Sequence, residues 1–175
     1  RSVVYRHFTD RADLDEQIRQ RIIDGLMVRL TPTPRPDGTV LAAIRRVVDT
    51  YLDWIARHPR LHAFLGAGTR APAGGSRVVA GTKAAIAARA AELFSSLFTL
   101  SDKDTDLAPS IAFGLVGFVD ATVNRWLADR QQTLTGTELA EFLSRSIWAV
   151  LDSNYRALGV EVDPHRPIGE LLHSR

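Results

Sequence analysis

The chain has 175 residues, enough for one domain with a real core. Hydrophobic residues make up 45% and charged residues 24%, an ordinary globular balance, and a formal net charge of +2 is too small to argue for nucleic-acid binding by charge alone. The lack of cysteine excludes disulfides, thiolate metal sites and cysteine nucleophiles; no uninterrupted apolar run reaches the roughly 18 residues of a membrane span, and no signal peptide opens the chain, so a cytoplasmic protein is expected.

Patterns of period 3.6 recur throughout, and no segment alternates convincingly as a strand. A short helix from Ser2 to His7 ends at Phe8-Thr9. Thr9 or Asp10 then caps a helix to about Leu30, with Asp13 in its first turn and Leu14, Ile18, Ile22, Leu26 and Leu30 as its apolar stripe. It stops at Pro32, Pro34 and Pro36. Asp37 or Thr39 starts the next, with Leu41, Ile44, Val48, Tyr51 and Ile55 on one face; His58-Pro59 breaks it, and Pro59 opens a short helix to about Gly66. Gly66 to Gly75 is glycine-rich and reads as a loop. An alanine-rich helix is expected over Arg77 to Leu100, followed by helices over Asp106 to Asp129 and Thr137 to Leu158, the last stopped by Gly159. Thr137 and Glu141 lie near the spacing of a helix start, one residue too far apart for a strict capping box. The tail from Val160 to Arg175, with Pro164 and Pro167, is expected to be partly ordered at best. These pieces predict an all-α bundle.

Val4-Tyr5-Arg6-His7-Phe8, then Arg11 and Leu14, stand directly before a long helix. This run resembles the segment that closes the helix-turn-helix of TetR-family transcription regulators: an aliphatic residue, Tyr, any residue, His, Phe, a short polar turn with a basic residue, then Leu. The junction His58-Pro59-Arg60-Leu61 with Phe64-Leu65, and the two last long helices, resemble later parts of the same family. The resemblance implies a TetR-like bundle in three parts. Residues 1–9 are a remnant of the DNA-binding helix-turn-helix, 10–159 the effector-binding and dimerisation domain, and 160–175 a tail. The chain opens inside an uncapped helix, so the first two helices and most of the recognition helix are expected upstream, and 1–175 alone are not expected to bind an operator specifically.

A phenol and an imidazole donate to phosphate oxygens, and an arginine near a helix N-terminus adds charge, so Tyr5, Arg6, His7 and Arg11 are the candidate DNA contacts. Tyr5 and Phe8 would equally serve to pack the head against the following helix. Helical bundles hold ligands in apolar cavities with a few placed polar groups, which suggests Tyr51, Trp54, His62, Phe64, Phe113, Asp120 and Asn124 as effector contacts. Asp120 falls between Val116, Val119 and Val123, where an unpaired carboxylate would be costly; a structural role is open for each residue of the set. Gly114, Gly117 and Ala121 form a smooth strip, and Phe142, Leu143, Ile147, Val150 and Leu151 belong to a broad apolar stripe. These helices are either buried within one subunit or paired with a second; the resemblance favours a homodimer through a four-helix seam.

His58 and His62 are four apart, but Pro59 interrupts the helix between them, so no metal site is expected. Neither a phosphate loop nor a nucleophile elbow is present, and neither catalysis nor a cofactor is expected. The expected function is a TetR-like repressor that binds operator DNA as a homodimer and is released by a small apolar effector. The alternative is a helical protein-interaction module with no ligand or DNA role.

Overall fold

The computed structural model describes residues 10–31, 37–66, 84, 86–88, 90–92, 107–131 and 133–173. Within them run six named helices: α1 Arg11–Leu30, α2 Val40–Arg57, α3 Pro59–Gly66, α4 Ala108–Ala128, α5 Gly136–Ala157 and α6 Ile168–His173. Residues 84, 86–88 and 90–92 are also helical, and no strand occurs among the described residues beyond an isolated bridge between Thr39 and Pro167. The expected all-α class is observed. The expected opening helix, the glycine-rich loop after Gly66 and most of the Arg77 to Leu100 segment lie outside the described residues.

Each long helix starts and stops for a local reason. The Asp10 carboxylate accepts from the Asp13 amide at 2.8 Å and caps α1, whose last turn closes when Thr31 donates to the Met27 carbonyl. The Thr39 hydroxyl accepts from the Ala42 amide and caps α2, which ends at His58 before Pro59. Helix α5 begins with a reciprocal capping box two residues earlier than the expected start at Thr137. Thr135 accepts from the Glu138 amide at 3.2 Å, and the Glu138 carboxylate accepts from the Thr135 amide at 2.8 Å. Its end is a Schellman turn. Gly159 sits at φ 74 and donates to Arg156, while Val160 donates to Tyr155.

The core keeps Leu26 of the stripe expected on α1, packs Ile22 and Leu30 against it, and corrects Ile18. Its buried residues are Ile23 and Leu26, whereas Ile18 is 40% exposed. Apolar residues spaced strictly by four advance about 40° per step around a helix, so such a row spirals off the buried face. The stripe of α2 alternates steps of three and four and does not drift. Val48 and Ile55 are buried on it, with Ile44 and Tyr51 packed alongside.

One core gathers Ile23 and Leu26 of α1, Val48, Trp54 and Ile55 of α2, Leu65 of α3, Val123 of α4, and Leu139 and Leu143 of α5. A second joins Ala108 and Leu115 of α4 to Leu151 and Tyr155 of α5, with Ile44 against them. The tail is more ordered than expected. Val160 and Val162 pack on the second core, the Leu41 amide donates to Pro164, and the Ile168 amide donates to Gly38 at 2.8 Å. These bonds strap the C-terminal segment to the start of α2.

Helix α4 has a mean hydropathy of 1.2 over a span-length window, long and apolar enough to cross a membrane by those measures alone. Only 17% of that window is buried within the chain. The apolar character arises from the sum of residues around Asp120, Asn124 and Arg125, not from an unbroken run.

Candidate functional site

Three helices bring polar groups together beside the first core. Tyr51 projects from α2 and His62 from α3, their rings 6.4 Å apart and edge-to-face. Asp120 of α4 is half-buried, and its charge acts on both. Burial, reinforced by the Asp120 charge, pushes the Tyr51 phenol well above its ordinary pKa of 10.0. Burial lowers the His62 imidazole below 6.5, and the opposing pull of Asp120 does not overcome it. His62 is therefore neutral at pH 7, able to donate from one ring nitrogen and accept at the other. Asp120 also accepts from the side-chain amide of Asn124 one turn on, at 3.1 Å.

The expected effector set therefore divides. Tyr51, His62, Asp120 and Asn124 form one neighbourhood. Trp54 is 5% exposed and belongs to the core, its ring tilted 5.8 Å from that of His58. Phe64 is turned toward α1, where the Arg19 guanidinium lies 4.5 Å over its ring and donates to its carbonyl at 3.0 Å. Phe113 is 51% exposed on the outer side of α4 and does not join the polar group. A helix presents only about a third of its circumference to one partner, so residues from all round it cannot share one cavity.

Next to this neighbourhood a cleft of about 160 Å³ opens between the end of α2, the start of α3 and the end of α4. Leu52, Ile55, Ala56, Pro59, His62, Trp126 and Leu127 line it, so His62 faces both the cleft and Tyr51. The Trp126 indole is already engaged, donating to the Leu134 carbonyl at 2.8 Å. Sequence reasoning found only His62 of this lining. Leu52 and Ala56 sit one turn apart beside Ile55, a spacing equally typical of plain core, and Trp126 comes from a distant segment.

The seam expected on the last two long helices also divides. Leu143 and Leu151 are 0% and 2% exposed and belong to the chain's own two cores, and Ile147 packs against both. Phe142 and Val150 lie on the neighbouring row and remain exposed. On α4, Gly114 and Ala121 are exposed and Gly117 half-buried, with open space around both glycines. The Phe118 and Phe142 rings meet at 6.0 Å across the two helices while each stays over a third exposed. Together they make an apolar patch that the described chain does not cover.

Of the candidate DNA contacts, Arg11 is exposed in the first turn of α1, directly after the Asp10 cap. Tyr5, Arg6 and His7 lie outside the described residues. Among the described residues no three His, Asp or Glu side chains converge as a metal set. Compared with known proteins, the chain matches no family model and no curated protein.

Proposed function

We propose that this chain is the regulatory and dimerisation part of a TetR-like transcription repressor, cytoplasmic, that binds operator DNA as a homodimer and releases it on binding a small effector. The observation that carries the reading is the uncovered apolar face of α4 and α5, centred on Phe118 and Phe142 beside Gly114 and Gly117. Small residues let two such helix pairs approach closely, and the aromatic rings supply the apolar area that a stable seam requires. The Val4 to Leu14 resemblance, with Arg11 exposed at the head of α1, supports the DNA role.

In this mechanism α1 is the lever. Its first turn carries the DNA-facing end, and Arg19 in its middle grips Phe64 of α3, the helix that carries His62. An effector acts only through its differential affinity for two arrangements of α3 and α1, and DNA affinity changes by the same factor in return. The test uses the protein expressed from its full reading frame. Retention of a DNA fragment from its own promoter region, lost on adding effector, is the expected result; a dimer that binds no DNA would favour the protein-interaction module, which the same apolar face also suits.

A further inference from the structure

We propose that the cleft between α2, α3 and α4 binds a single neutral aromatic ring bearing a hydroxyl group, a phenol, whose hydroxyl pairs with the His62 imidazole. As an effector assignment this rests on the regulator reading above; as a binding site it rests on the cleft itself. Size is the first argument. The cleft measures about 160 Å³. An apolar cavity of about 150 Å³ is enough to hold benzene, whereas drug-sized ligands occupy about 300–1,000 Å³. The walls enclose room for about one ring, and the rim at Ala56, Pro59 and Leu127 is open to solvent.

Polarity is the second argument. The walls are Leu52, Ile55, Ala56, Pro59 and the Trp126 ring, and His62 is the sole ionisable group among them. The Trp126 N–H is committed to Leu134, which leaves the imidazole as the polar anchor. A neutral imidazole both donates and accepts, and so does a hydroxyl. Charge is the third argument. A carboxylate placed against His62 would feel the Asp120 charge that already acts on that ring. An ammonium would be drawn by that same charge, but it would lose its hydration among apolar walls that hold no carboxylate to pair with it directly. Neutral ligands are therefore selected on both sides.

Calorimetric titration of the chain with p-cresol, toluene, 4-methylbenzoate and 4-methylbenzylamine tests this directly. The expected order is p-cresol about fivefold tighter than toluene, the gain of one neutral hydrogen bond, with both charged analogues weaker than toluene. His62→Phe should bring p-cresol down to toluene's affinity. Ala56→Trp, at an exposed position on the rim, should abolish binding of both while circular dichroism stays native. Absence of p-cresol binding, equal affinity for p-cresol and toluene, preference for a charged analogue, or p-cresol binding that survives Ala56→Trp would each overturn the proposal. If p-cresol binds as expected but leaves DNA retention unchanged, the cleft stands and its effector role fails; if p-cresol binds and the protein expressed from its full reading frame retains no DNA, the cleft stands and the regulator reading fails. If DNA is retained and other molecules release it while p-cresol does not bind, the cleft assignment alone fails.

Discussion

His62 illustrates how one residue acquires a role from three neighbours. Its imidazole is held below pKa 6.5 by burial, partly offset by Asp120. The unfolded chain therefore binds more protons than the folded one as pH falls below 6.5, and stability should decline across that window. His62→Gln should flatten the decline, measured as melting temperature against pH. Asp120→Asn removes the charge that favours the imidazolium, so the NMR titration of His62 should move to still lower pH; an upward move would contradict the arrangement. Leu143 makes a different point, because the two sides of one helix give apolar residues opposite fates. It is fully buried, while adjacent Phe142 is 39% exposed. Leu143→Ala should cost about 2–5 kcal/mol in denaturant unfolding, the usual penalty for a buried leucine. Phe142→Ala should cost far less in the monomer.

At the scale of elements, the helices are set by their ends as much as by their faces. Glu138 is held below its ordinary pKa of 4.5, first by the Thr135 amide and then by the Thr135 hydroxyl. The capping contribution is thus present above pH 4.5 and lost as pH falls through the depressed value. Glu138→Gln should remove that part of the acid sensitivity, read from the helical signal of a pH titration. At the other end of α5, Gly159 has φ 74, where a side chain meets its own backbone. Gly159→Ala should lower stability by roughly 1–2 kcal/mol although nothing lies within 4 Å of its added Cβ. The loss is conformational, so repacking of neighbours should not restore it. Much of this was legible in advance: Asp10, Thr39, the His58-Pro59 break and Gly159 act locally, and local signals survive into the fold. The start of α5 differs from the expected Thr137, although Thr135-Gly136-Thr137-Glu138 carries the Thr-x-x-Glu pattern of a capping box and was itself legible in the sequence.

For the whole molecule, the exposed face of α4 and α5 decides the assembly. Phe142→Glu places a charge at its centre without touching either core. If the proposed homodimer forms there, this variant should elute and scatter as a monomer at concentrations where the parent chain is a dimer, with its helical content unchanged. A parent chain that is itself monomeric would remove the seam from the reading.

Helix class and most boundaries of α1 to α5 were determined by the sequence alone, because periodicity, caps and prolines act over a few residues, whereas α6 in the tail was not expected. The polar neighbourhood was half visible. Tyr51, His62 and Asp120 stood out as polar groups on apolar faces, but Phe64 and Phe113 looked equally suitable as contacts. Only tertiary packing could sort them. It rotated α1 so that Ile23 replaced Ile18, turned Phe64 to Arg19, left Phe113 outside, and divided the broad stripe of α5 into a buried row and an exposed one. The physical reason is that a helix of period 3.6 presents every candidate at some angle, and the angle that becomes interior is chosen by the neighbours it meets, which lie far away in the chain.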